Sequence, residues 1–66
     1  MTYCHKEVQA QLIFSLLDRI EGQTRVMAHK DDNISHQLKR WQDGHLPDSY
    51  FRETLNKYLD RLNGSN

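Results

Sequence analysis

The side chains of this sequence that could do chemistry fall into four small groups. Cys4 and His5 are neighbours near the N-terminus, the residue types of a thiolate nucleophile or a metal pair. Adjacent residues on a helix do not face each other, and nucleophilic catalysis also needs an orienting base and an oxyanion site. The pair is read as a neutral thiol beside a solvated imidazole. His29 and His36 are seven apart and can share one helix face. Helical metal pairs more usually sit at i, i+4, and no carboxylate or thiol stands at a matching ligand spacing, so both are expected at the surface. Asp31 and Asp32 diverge as adjacent residues do. A helix cap or a solvated bend suits them better than paired acid–base work. Lys39-Arg40-Trp41 places a basic pair beside an aromatic, a combination that can hold phosphate and stack a base. The competing reading has Trp41 closing an apolar seam, or anchoring a protein contact, while the basic pair faces water. The three glycines, at 22, 44 and 64, are too dispersed for a phosphate loop. No catalytic residue, metal site or cofactor is assigned, and the chain is expected to be non-enzymatic.

Bulk properties narrow the class of action. A chain of 66 residues is one small domain, 1–66, with 1–4 and 63–66 expected to fray. Nine Lys and Arg balance nine Asp and Glu. Dedicated nucleic-acid or membrane-surface proteins carry a basic excess instead, so nucleic acid is not the expected partner. A single cysteine excludes an intramolecular disulfide. The longest nearly apolar run is 12–17, whereas a membrane span needs about 20 residues. The N-terminus lacks a basic segment followed by an apolar run, as a secretory signal would have. A cytoplasmic location is expected. Apolar residues make up only 36%. A domain this small seldom stands on its core alone without disulfide, metal or partner, which makes a protein partner or self-association the expected source of further burial.

The elements that would position these groups are helical. Helix formers dominate and β-branched residues never alternate over a useful length. Val8, Leu12, Ile13, Leu16, Leu17 and Ile20 recur at three and four, one wide stripe with Phe14 off it. Ile13, Ile20, Met27, Ile34 and Trp41 are each seven apart, the period of helices packed at a shallow angle. This phase favours one long helix from about His5 to Gln42. A bend near 30–33, capped by Asp32 or Asn33, gives a short three-helix arrangement instead. Gly44 and Pro47 mark a clear boundary. A last helix is expected over 48–62, with Phe51, Leu55, Tyr58, Leu59 and Leu62 on one side and Glu53–Lys57 as a surface pair. The expected fold class is all-α, a helical hairpin whose seam joins Ile13, Leu17, Ile20, Ile34 and Leu38 to Phe51, Leu55, Leu59 and Leu62.

Three resemblances bear on function. Leu38-Lys39-Arg40, then Gly44, Tyr50, Leu55 and Leu59, resembles the turn and second helix of the small helical-hairpin co-chaperones of type III secretion needle subunits. That resemblance implies pairing with a larger chaperone and holding a needle subunit from early polymerisation, with no catalytic residues. Ile34 to Pro47 is similar to a helix-turn-helix recognition helix with its trailing turn, which implies a small DNA-binding regulator; the preceding short helix and any basic excess are missing. Arg19 to Arg25 looks like the opening stretch of the copper- and formaldehyde-sensing repressors, but His36 and Gln37 stand where that family has its reactive cysteine.

The expected function is that of a protein-binding module, a chaperone, adaptor or inhibitor that buries an amphipathic helix face against its partner; the alternative is a small helix-turn-helix DNA-binding regulator. Two helices share one seam, so the excess apolar arc of 8–20 stays open. The expected partner-facing residues are Val8, Leu12, Phe14 and Leu16, with Trp41 as a further anchor. Leu16→Asp is then expected to abolish association while leaving most of the helicity.

Overall fold

A computed structural model describes residues 5–64. Helix α1 is His5–Thr24, α2 is Asp32–Gln42 and α3 is Asp48–Leu62, with a 3-10 turn at Ala28–Lys30 between the first two. The class is all-α, with no strand among the described residues. Residues 1–4, including Cys4, and 65–66 lie outside the described part. Asn63 and Gly64 close α3 with their N–H groups on the carbonyls of Leu59 and Arg61.

The chain does not run as one helix to Gln42. It turns back over 25–31 and takes the three-helix form. A straight helix over 5–42 would be roughly 57 Å long and α3 roughly 22 Å, so α3 could cover less than half of the apolar seam. The longest dimension of the fold is 38 Å. Folding back lets the stripe of α1 and the stripe of α2 close over the same helix. Met27, the middle member of the seven-residue series, is 52% exposed, and Ala28 beside it is buried. Ile34 and Trp41 keep the phase of Ile13 and Ile20 in number only, because they reach the core from a different helix.

The turn is braced by short polar contacts. Arg25 adopts a left-handed φ of 63° and donates its N–H to Glu21 O at 2.9 Å, closing α1 in the manner usually left to glycine. The Glu21 carboxylate then accepts from Ala28 N at 2.7 Å, and Thr24 Oγ1 accepts from Val26 N. Asp31, one residue ahead of the expected caps, begins α2. Its Oδ1 accepts from Asn33 N at 2.9 Å and Ile34 N at 3.1 Å, while Oδ2 accepts from Tyr58 OH at 3.0 Å. One carboxylate therefore starts α2 and ties it to α3.

The far end of α2 stops on a Gly-based motif. His45 N donates to Arg40 O and Gly44 N to Trp41 O, with Gly44 at φ 80°, the paired bonds of a Schellman ending. Pro47 precedes α3 and Asp48 stands in its first turn, where a carboxylate meets the positive end of the helix dipole. Gln9 and Arg52 meet at one end of the bundle, Asp31 and Tyr58 at the other. Thus α1 and α3 run parallel, with α2 antiparallel to both, and α1 packs most extensively on α3.

Ile13, Leu16, Leu17, Ile20, Ala28, Ile34, Phe51, Leu55 and Leu59 are buried, with Leu38, Trp41, Leu46 and Tyr58 packed partly against them. The expected seam is largely this core; Leu38 sits at its edge and Leu62 is exposed. Leu16 corrects the expectation drawn for it. At 8% exposure it belongs to the interior, one helical turn from both Ile13 and Ile20. The shared stripe of α1 is wide enough to turn it inward.

Removing the cap tests the brace. Asp31→Ala should lower unfolding free energy by about 2 kcal/mol and Tyr58→Phe by about 1 kcal/mol, and the double variant should cost less than the sum; urea melts measure all three. Burial, then the hydrogen bond and charge of Asp31, raise the Tyr58 pKa above 10.0. A raised folded pKa means the contribution is complete below pH 10 and fades as pH climbs through the folded value. Stability should fall over that window in the wild type and fall less in Tyr58→Phe. Arg25→Gly relieves the left-handed strain and should raise stability by about 0.5–1 kcal/mol, read from the same melts.

Candidate interaction surface

Large apolar side chains remain in contact with solvent on two flanks of α1. Val8 and Leu12 are 41% and 43% exposed, and Phe14 is 54% exposed. With about 100° between successive residues, Val8 and Leu12 lie near each other around the axis, while Phe14 lies about 160° from Leu12. The buried row through Ile13, Leu17 and Ile20 separates the two flanks. The expected partner-facing set is therefore divided: Val8 and Leu12 on one flank, Phe14 with Trp41 on the other, and Leu16 in the core.

The Phe14 flank is built from three helices. The rings of Phe14 and Trp41 meet edge to face at 5.5 Å, and Trp41 tilts against the fully buried Phe51 at 5.4 Å. Such pairs contribute roughly 0.5–1.5 kcal/mol beyond their area. Trp41 Nε1 donates to Asp48 Oδ1 at 2.6 Å, so the indole spans the α2–α3 turn and both of its ends are held. Ala10, Phe14, Trp41, Leu46 and Pro47 line an open, mostly apolar groove of about 520 Å³. Trp41 closes the seam through Phe51 and also lines the groove. Its contact with Phe14 was not legible in spacing, since the two lie on different helices and 27 residues apart.

The polar groups singled out in the sequence do not converge. His29 and His36 are exposed and border one shallow depression on α2 with Ser35, Lys39 and Asp43. Among the described residues no group of three or more His, Cys, Asp or Glu could hold a metal ion. Lys39 and Arg40 are exposed, but Asp32 and Asp43 lie on the same side of α2. Arg52 of α3 turns toward α1, where its Nη1 donates to Gln9 Oε1 at 2.9 Å. A three-residue 3-10 turn, not a helix, precedes α2. Glu53 and Lys57 form the expected surface pair at 3.5 Å; exposed pairs of this kind contribute little. No described helix is long and apolar enough to cross a membrane.

The chain matches no family model, no curated protein and no solved structure.

Two substitutions separate surface from core. Phe14→Ala should keep the fold, lower stability by about 1 kcal/mol and change the near-UV signal of the single tryptophan. Leu16→Asp should instead unfold the chain, because an uncompensated carboxylate would enter the interior. Far-UV circular dichroism of both variants distinguishes the two positions.

Proposed function

We propose that this chain acts without catalysis, by binding another protein through the apolar side chains that α1 leaves in solvent. The observation that carries the reading is the exposure of Val8, Leu12 and Phe14 on one helix of a domain with so small a core. Burying a Leu or Phe side chain is worth roughly 1.5–3 kcal/mol. Two or three such anchors support a micromolar contact once association costs are met. The Phe14–Trp41–Phe51 row favours the second flank as the better anchor, because a ring already held on two sides loses little further freedom on binding. Balanced charge adds no long-range repulsion toward a partner or a second copy.

A chaperone, adaptor or inhibitor acting in the cytoplasm fits this chemistry. The resemblance to the co-chaperones of type III secretion needle subunits gives one form of it: pairing with a larger chaperone so that a polymerising subunit stays single. The balanced charge, and the acids that share a face with Lys39 and Arg40, weigh against a DNA-binding regulator.

Affinity purification with mass spectrometry, together with light scattering on the pure protein, tests the reading. Wild type, Leu12→Glu and Phe14→Ser are compared after circular dichroism has shown that each remains helical. Loss of a captured protein, or of a dimer, in one variant assigns the contact to that flank. Associations that survive both substitutions, or none at all for the wild type, would overturn it. Tight binding of duplex DNA that weakens steeply with salt would replace it with the regulator.

A further inference from the structure

The two apolar flanks of α1 differ in charge as well as in shape. With about 100° between successive residues, Glu7 lies within about 20° of Phe14 around the axis and Asp18 within about 40°. Both are exposed. Asp48 lines the same groove from the start of α3, and among the described residues no Lys or Arg lines it. Carboxylates therefore rim the Phe14–Trp41 groove. The other flank is basic. Arg19 is exposed and lies within about 20° of both Val8 and Leu12. Gln9 lies about 60° from Leu12 and about 140° from Phe14, so Arg52, which Gln9 holds, belongs to the Leu12 side. Glu7, Asp18 and Arg19 have no ion-pair partner among the described residues. The charges of the chain cancel in total, nine against nine, yet the two flanks carry opposite signs.

The spacings match too. Arg19 stands seven residues after Leu12, and Glu7 seven residues before Phe14, each roughly 10 Å along the axis. When two α1 helices lie antiparallel, with Leu12 of one over Phe14 of the other, Arg19 falls opposite Glu7. Gln9 then falls opposite Leu17, which brings Arg52 to the level of Asp18. The aliphatic ridge, with no third helix beside it, enters the groove while both cations meet carboxylates. Ridge against ridge would set cations against cations, and groove against groove would set carboxylates against carboxylates. Like charges across an interface are unfavourable, so only the unlike faces complement each other.

We infer that the partner of these flanks is a second copy of this chain, with the Val8–Leu12 ridge of one molecule seated in the Phe14–Trp41 groove of the next. This rests on the reading of the α1 flanks given above and names their partner. The contact joins two different faces, so each pair keeps a free ridge at one end and a free groove at the other. Such a contact grows into a ring or an open chain and does not close as a two-fold dimer.

Sedimentation velocity on the full chain, from micromolar to millimolar concentration, tests it. Wild type should form species larger than a dimer whose share rises with concentration. Leu12→Glu spoils the ridge and Phe14→Ser spoils the groove; each should be monomeric once circular dichroism has shown it helical. Mixed in equal amounts, the two should form a dimer and nothing larger, because one intact ridge meets one intact groove. Where Phe14→Ser is not helical, Ala10→Gln replaces it, filling the groove with a longer side chain. Arg19→Glu and Glu7→Arg should each weaken assembly roughly fivefold, and the double variant should recover it. A wild type that stays monomeric overturns the inference, and capture of a different protein through the same flanks would then leave the reading of those flanks standing. A dimer that grows no further, a mixture of ridge and groove variants that stays monomeric, or a double variant no stronger than the single ones also overturns it.

Discussion

Much of this fold turns on how one carboxylate is used. Asp31 meets two backbone N–H groups with one oxygen and the Tyr58 hydroxyl with the other. The first contacts begin α2 directly after a 3-10 turn; the last fixes where the far half of α3 lies against that corner. Without it, the start of α2 would carry unmet donors and the α2–α3 pairing would rest on the apolar edge alone. The contact unites residues 27 apart in sequence, and so couples a local event, capping, to the tertiary arrangement. The Asp31–Tyr58 link lies at one end of the bundle, and the Trp41–Asp48 link at the other. Between them they hold α2 over a core that α1 and α3 mostly build.

That arrangement explains why the apolar surface of α1 divides. A helix packed chiefly against one neighbour buries a single row, here Ile13, Leu17 and Ile20 with Leu16 at its margin. Apolar residues beyond that row fall to either side. On one side α2 and the turn before α3 approach, and Phe14 gains Trp41 as a neighbour. On the other side Val8 and Leu12 meet no third helix. The surface available for recognition thus has two characters, one aromatic and shaped, the other aliphatic and open.

Much of the architecture was legible in the residues. Gly44 and Pro47 placed α3 over 48–62, and spacing alone picked out Ile13, Leu17, Ile20, Ile34, Phe51, Leu55 and Leu59 as interior. The turn at 25–31 was harder to read because the seven-residue phase continues through it, and because Arg25 takes a conformation for which its side chain gives no signal. Capping strength, set by Asp31 with Glu21 and Thr24, outweighed periodicity there. Leu16 was misplaced because a stripe's width cannot be judged without knowing how closely the neighbouring helix approaches. The aromatic row joins different helices, and side-chain spacing within one element carries no information about such meetings.

The parallel pairing of α1 with α3 has a consequence for how the chain comes to be folded. The segment that covers the Ile13–Ile20 row, α3, lies at the other end of the described chain from α1. Without α3 that row has no helix to cover it, because α1 meets α2 through the Phe14–Trp41 ring contact beside the row. Closing the α1–α3 seam also spans most of the sequence, so its entropy cost is met late. Order should therefore arrive nearly all at once, when α3 closes over α1.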